Sequence, residues 1–133
     1  MKQLSKNLAL IVLFLLIGQQ VFSYDFEVDG IYYGYNSNSQ TAYVTHGDQQ
    51  YSGSVIIPSS VTFNGRTLNV VGIADKAFYR NSNLISVTIP EGVTSIGDAA
   101  FWGCSSLASI SLPNSLSSIG YSWYQCEGAF YGC

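Results

Sequence analysis

Two consecutive stretches of the chain, LISVTIPEGVTSIGDAAFWGCSS at residues 84–106 and LASISLPNSLSSIG at residues 107–120, repeat one pattern. Apolar residues, a proline and a glycine recur 23 positions apart, as Pro90 and Pro113 illustrate. A looser copy of the same unit occupies residues 51–83. Internal repeats of this length predict a solenoid, in which each turn buries the apolar edge of the next one.

Each unit predicts one short strand followed by a bend. Residues 86–89 (SVTI) and 109–112 (SISL) alternate polar and apolar side chains, which is typical of a strand with one buried face. The proline that follows ends the strand because it cannot donate a ladder hydrogen bond. Gly97 and Gly120 are then expected to permit a tight bend. We therefore predict a mainly β fold, a short solenoid of parallel strands in 23-residue turns.

A phrase built around phenylalanine closes each unit: AFYRN at residues 77–81, AFWGC at 100–104 and AFYGC at 129–133. The phenylalanine is expected to point into the coil and to stack on its counterpart at the strand spacing of about 4.8 Å. In the third unit the phenylalanine comes six residues later than the repeat requires, which indicates an insertion at residues 121–127.

Residues 1–23 have the features of a secretory signal peptide. Lys2 and Lys6 precede a ten-residue apolar core, which is too short to cross a bilayer, since a spanning helix needs about 20 residues. Cleavage after Ser23 would leave Tyr24 first, and not the cysteine of a lipoprotein. We predict an exported protein, secreted or at the cell surface, without stable membrane insertion after cleavage.

The segment before the repeats predicts an amino-terminal cap. Residues 24–50 contain three apolar-polar segments separated by turn sequences, Asp29-Gly30 and residues 36–39, which indicates an antiparallel β meander. Such a meander can cover the open apolar end of a first turn. The repeats then take residues 51–133, divided into an irregular first turn (51–83), a regular turn (84–106) and a last turn (107–133) that carries the insertion 121–127.

Charge and composition exclude some classes of partner. Without residues 1–23, the remaining 110 residues hold three bases against eight acids, a net charge of −5. This balance argues against nucleic acid and anionic lipid, which are bound by basic patches. The low charged fraction of 10% and the hydrophobic fraction of 47% argue against disorder.

The sequence offers little for catalysis or metal binding. His46 lies in a turn sequence, and no GxSxG elbow supports a serine triad with it. No two cysteines are closer than Cys126 and Cys133, which argues against a zinc site. DFEVDG at residues 25–30 imitates the start of a calcium loop, but the twelfth position is Asn36 and not glutamate. We predict no enzymatic activity, no metal and no cofactor.

The full pattern L-x-x-[VI]-x-[IL]-P-x-x-[VL]-x-x-I-G-x-x-A-F-x-x-C-x-x-L strongly resembles the BspA-like leucine-rich repeats of bacterial surface proteins. Residues 24–35 and 53–66 are similar to the lead-in that these proteins carry, although Gly92 stands where asparagine or cysteine is usual. The resemblance implies an exported, non-catalytic protein that mediates adhesion to host matrix proteins or other cells. The alternative is a structural spacer, or an amino-terminal fragment of a longer array, with no binding activity of its own.

An aromatic residue follows each inward phenylalanine, and the insertion adds three more. If the phenylalanine points inward, its neighbour points outward, so these rings could form an exposed stripe that binds an extracellular protein or polysaccharide. The alternative is that the rings only pack on the neighbouring turn or cover the open end of the coil. The candidate residues are Tyr79, Trp102 and Tyr131 in the repeats, and Tyr121, Trp123 and Tyr124 in the insertion.

The position three residues after each phenylalanine holds Asn81, Cys104 or Cys133, which indicates a small polar side chain that serves the backbone of the turn. Cys104 and Cys133 occupy equivalent positions in adjacent turns, so they could come close enough for a disulfide in an exported protein. Cys126 is an alternative partner for either one, and three cysteines leave one unpaired.

Overall fold

A computed structural model describes residues 24–122 and 127–133, so the predicted signal peptide and residues 123–126 lie outside the described part. The described residues form strands and turns and contain no helix that could span a membrane. The strands are β1 (Phe26–Val28), β2 (Ile31–Asn36), β3 (Thr41–Thr45), β4 (Gly53–Ile56), β5 (Ser60–Phe63), β6 (Arg66–Ile73), β7 (Leu84–Thr88), β8 (Ser95–Ile96), β9 (Ser109–Ser111), β10 (Ser118–Ile119), β11 (Tyr121–Ser122) and β12 (Glu127–Gly128).

Strands β1, β2 and β3 form the antiparallel meander that the sequence predicts. Asp29 and Gly30 connect β1 to β2 with positive φ angles of 51° and 78°, which is the backbone of a two-residue hairpin turn. Between β2 and β3, the Asn36 side-chain oxygen accepts hydrogen bonds from the backbone N–H groups of Asn38 (3.0 Å) and Ser39 (3.2 Å). Local turn chemistry therefore sets both connections.

Two sets of parallel strands carry the repeats. Strands β4, β7 and β9 form one of them, in which Val55 is opposite Val87 and Val87 is opposite Ile110. Strands β6, β8 and β10 continue the other, with Ile73 opposite Ile96 and Ile96 opposite Ile119. The pairs from residue 73 onward are 23 residues apart, so the solenoid of parallel strands is confirmed.

The cap and the repeats share one continuous sheet, which the sequence did not reveal. Strand β3 pairs in parallel with β6, and the seven-stranded sheet therefore runs from the meander into the turns. The irregular first turn also contains an antiparallel hairpin of β5 and β6. Its turn is Asn64-Gly65, with φ angles of 50° and 74°, which is a strong hairpin signal.

Aromatic rings stack through the middle of the coil. We call Phe78, Phe101 and Phe130 the phenylalanine ladder. Phe78 and Phe101 lie 4.8 Å apart between ring centroids and 6° from parallel, and Phe101 and Phe130 lie 5.2 Å apart and 4° from parallel. The ring of Tyr51 extends the ladder, with its centroid 4.6 Å from that of Phe78. The Tyr51 hydroxyl donates a hydrogen bond to the Thr45 carbonyl (2.7 Å).

Gly97 and Gly120 do not serve the bend that the sequence suggests, because neither has a positive φ angle. A Cβ atom on Gly97 would lie 2.4 Å from the backbone nitrogen of Asp75, and one on Gly120 would lie 2.4 Å from that of Asp98. The Asp98 N–H donates to the Asp75 carboxylate at 2.8 Å. Glycine is thus required here for the close approach of adjacent turns.

Candidate binding surface

The aromatic residues that follow the ladder phenylalanines form a second stack on the outside of the coil. The rings of Tyr79 and Trp102 lie 4.9 Å apart and 13° from parallel, and those of Trp102 and Tyr131 lie 6.1 Å apart and 16° from parallel. We call these three residues the aromatic row. The structure thus brings together three of the six aromatic candidates that the sequence singled out.

The aromatic row is partly packing and partly surface. Tyr79 and Trp102 are half-buried, because each presents a ring face to its neighbour, while Tyr131 is 61% exposed. The indole N–H of Trp102 is buried and has no hydrogen-bond partner within residues 24–122 and 127–133. Of the other candidates, Tyr121 is 54% exposed on β11, whereas Trp123 and Tyr124 lie outside the described residues.

Two basic side chains border the aromatic row. The Arg80 guanidinium carbon lies 5.4 Å from the Tyr79 ring centroid and 5.0 Å from that of Trp102, and the Lys76 ammonium lies 5.5 Å from that of Tyr79. These distances are those of cation–π contacts. Gly103 makes room for the arginine, since a Cβ atom there would come within 3.3 Å of Arg80 Cγ. Neither base belongs to the repeat pattern, so the repeats offered no signal for their place beside the rings.

Both basic residues have a backbone conformation that is unfavourable for them. Lys76 and Arg80 have φ angles of 58° and 57°, in the left-handed region. The position of Arg80 is taken in the next two turns by Gly103 and Gly132, with φ angles of 73° and 76°. A side chain in this region costs about 1–2 kcal/mol. Arg80 therefore places a long cationic side chain at a position that suits glycine.

A cleft of about 290 Å³ lies where residues 46–50, the cap loop that follows β3, meet the first turn, and Tyr79 belongs to both the cleft and the aromatic row. We call it the cap cleft. Its lining residues are His46, Gly47, Gln49, Gln50, Tyr51, Lys76, Ala77, Tyr79 and Asn81. A larger cleft of about 560 Å³ lies beside β1 and β4, but its lining includes Glu27 and Asp29, no base and no member of the aromatic row. We therefore regard the smaller cleft as the candidate site.

Two carboxylates close in sequence to the cap cleft are engaged by neutral donors. Asp48 accepts a hydrogen bond from the Tyr24 hydroxyl (3.0 Å). Asp75 accepts one from the backbone N–H of Asp98 (2.8 Å). His46 is exposed at the edge of the cleft. Among the described residues, no three histidine, cysteine or acidic side chains are grouped in a way that could hold a metal ion.

Cys104 and Cys133 are free thiols in the structure, so the disulfide between them is not formed. Each thiol instead donates to a ladder carbonyl of the preceding turn: Cys104 Sγ to Phe78 O at 3.0 Å, and Cys133 Sγ to Phe101 O at 3.1 Å. Burial raises the pKa of Cys104 to about 11 and also raises the pKa of Cys133. The thiols therefore serve the turn backbone. The alternative partner Cys126 lies outside the described residues.

Comparison with known proteins places the repeats in a family. The model of the BspA type leucine-rich repeat region matches residues 71–133 in six copies. No curated protein matches the sequence. Among solved structures, a leucine-rich repeat protein from Bacteroides ovatus is 28% identical with a TM-score of 0.68, and covers 83% of this chain and 33% of its own.

Two further structures have the same architecture. A leucine-rich repeat protein from T. pallidum is 34% identical with a TM-score of 0.57, over 69% of this chain and 41% of its own. A leucine-rich cell surface protein from Faecalibacterium prausnitzii is 27% identical with a TM-score of 0.58, over 72% of this chain and 26% of its own. The chain thus spans less than half the length of each of these three proteins. Its residues 71–133 form a BspA type leucine-rich repeat region, and its fold is that of these leucine-rich repeat proteins.

Proposed function

We propose that the protein is exported and acts, without catalysis, as an adhesion module that binds an extracellular protein or polysaccharide through the aromatic row. The observation that carries this proposal is the stack of Tyr79, Trp102 and Tyr131 on the outer side of consecutive turns. Tyrosine and tryptophan are the residues that most often dominate binding surfaces, because they bury a large area at a small cost in conformational entropy.

Two further observations support the proposal. Tyr79, the first ring of the aromatic row, also lines the cap cleft, so a partner that contacts the row can also reach into the cleft. The repeat family and the similarity to a protein described as a cell surface protein agree with a location outside the cell. Export by way of residues 1–23 and cleavage after Ser23 belong to the proposal and are checked by sequencing the amino terminus of the secreted protein.

Binding by the purified protein tests this function. The protein is titrated against immobilised extracellular matrix proteins and a glycan array, and the variants Trp102→Ala and Tyr131→Ala are compared with the original chain. We expect saturable binding that falls about tenfold or more in Trp102→Ala, since an anchoring aromatic residue contributes about 2 kcal/mol or more.

The controls separate binding from folding. Ile56 is 72% exposed on β4, away from the aromatic row, and Ile56→Ala is expected to bind normally. Thermal unfolding of Tyr131→Ala is expected to match that of the original chain, because the side chain is mostly in solvent. An absence of saturable binding to every probe would favour the structural spacer. Equal binding by all variants would contradict the role of the aromatic row.

A further inference from the structure

We infer that the cap cleft and the adjoining end of the aromatic row bind an acidic sugar residue of a glycan, one that carries a single carboxylate or sulfate. This inference rests on the proposed adhesion function and names its ligand class. The residues involved are Lys76, Arg80 and Tyr79, together with the amide side chains of Gln49 and Gln50.

Cationic side chains are concentrated beside the Tyr79 ring. Residues 24–133 contain only three bases, and two of them, Lys76 and Arg80, lie within 5.5 Å of the Tyr79 ring centroid. Both are exposed. Asp48 and Asp75 accept hydrogen bonds from Tyr24 and from the Asp98 backbone, as described above. Two of the three bases of residues 24–133 thus lie beside one aromatic ring, on a chain whose net charge is negative.

Arg80 places its charged group beside the aromatic row. Its guanidinium lies over aromatic rings, 5.0 Å from the Trp102 centroid. A guanidinium carries five N–H donors in a planar fork, so those that do not face the rings can bind two oxygens of an acid group. Arg80 also holds this place in a left-handed backbone conformation that suits the glycines at the equivalent positions of the next turns.

The size and the amide lining of the cap cleft suit a sugar. The cap cleft has a volume of about 290 Å³, near the lower limit for ligand pockets, so it suits one small unit of a chain. Gln49 and Gln50 each offer an amide donor and acceptor, which matches neighbouring hydroxyl groups. Tyr79 also lines the cleft, and the exposed part of its half-buried ring offers apolar surface next to the amide groups and the cations. A polyanion would be repelled by the net charge of −5 over residues 24–133, which favours a singly charged residue.

An NMR titration of the isotope-labelled full chain tests the inference. The probes are sialyllactose and lactose sulfate, each with one acid group, and lactose as the neutral counterpart. We expect the amides of residues 46–51 and 76–80 to shift saturably with both acidic probes. Lactose should bind about tenfold more weakly, since a charge-assisted hydrogen-bonded pair is then lost. Added salt should weaken the acidic probes only.

Three charge variants give a matched comparison. Lys76→Gln and Arg80→Gln are each expected to lower the affinity for the acidic probes about tenfold. Arg66→Gln removes the same charge from β6, outside the cap cleft, and should leave the affinity unchanged. Equal binding of lactose, an equal loss in Arg66→Gln, no saturable shift with either acidic probe, or tighter binding of an aspartate-rich peptide would overturn the inference.

The outcomes also separate this inference from the adhesion function on which it rests. If the acidic sugars fail while Trp102→Ala still abolishes binding to another extracellular partner, the acidic-sugar assignment is wrong and the adhesion function stands. If Trp102→Ala changes the binding of no partner and no probe binds, both fail.

Discussion

The ring of Phe78 lies 4.8 Å from the ring of Phe101 and only 6° from parallel to it, although the two residues are separated by a full turn of the coil. This spacing equals the distance between neighbouring strands, about 4.8 Å, so the rings stack because the strands on either side do. Phe101 is fully buried between Phe78 and Phe130. It therefore connects all three turns through the core.

Removing this central ring should be far more harmful than removing its outer counterpart. We expect Phe101→Ala to lower the free energy of unfolding by about 3–5 kcal/mol, because it leaves a cavity between two rings. Tyr131→Ala should cost less than about 1 kcal/mol, since that side chain is 61% exposed. Urea unfolding followed by circular dichroism measures both. Similar losses in the two variants would show that the phenylalanine ladder is not the core.

A methyl group at Gly97 should disrupt the contact between turns. The added Cβ would lie 2.4 Å from the Asp75 backbone nitrogen, and backbone cannot move aside as a side chain can. We expect Gly97→Ala to destabilise the protein by about 3 kcal/mol. Gly128→Ala is the control, because its nearest contact would be 3.9 Å away, and it should change stability by less than about 1 kcal/mol. Equal melting temperatures for the two variants would contradict the close approach seen at Gly97.

The stabilities of two substitutions at Arg80 measure the backbone strain at this position. Arg80→Ala and Arg80→Gly both remove the guanidinium, but only alanine keeps a Cβ atom at a φ angle of 57°. We expect Arg80→Gly to be more stable than Arg80→Ala by about 1 kcal/mol. Chemical unfolding of the pair gives this difference directly. If alanine is equally stable or more stable, the left-handed backbone carries no cost at this position.

Cys104 should make the stability of the fold fall in alkaline solution. Burial raises its pKa from 9.0 to about 11, so the folded chain holds the thiol proton more tightly than the unfolded chain does. The resulting stabilisation is complete below pH 9 and is lost as the pH rises through 11. We expect it to be worth about 2–3 kcal/mol.

A matched variant isolates this effect from that of Tyr33, whose pKa burial raises to about 12. Cys104→Asn places at this position the residue that the preceding turn has as Asn81. Unfolding is measured in reductant from pH 8 to 10.5, and the variant should lose less stability than the original chain over this interval. Parallel curves would show that the Cys104 thiol does not contribute to the pH dependence.

Features that repeat along the chain, or that depend on residues close in sequence, could be predicted from the sequence. The 23-residue period and its alternating segments indicated parallel stacked strands, because equal turns bring equivalent residues into register. The inward direction of Phe101 and the pairing of β1 with β2 across Asp29-Gly30 followed from the same local signals. The outer position of Trp102 was predicted as well, since neighbouring residues in such a turn point to opposite sides.

The tertiary structure alone decided which residues of different turns meet. Nothing in the spacing indicated that Tyr51 would extend the phenylalanine ladder, or that β3 would pair with β6, because the first turn departs from the 23-residue period. Gly97 faces the backbone nitrogen of Asp75, 22 residues earlier. The Arg80 side chain packs against Gly103, where a Cβ atom would lie 3.3 Å from Arg80 Cγ. These contacts depend on how closely adjacent turns approach, which is a property of the packed coil and not of any segment by itself.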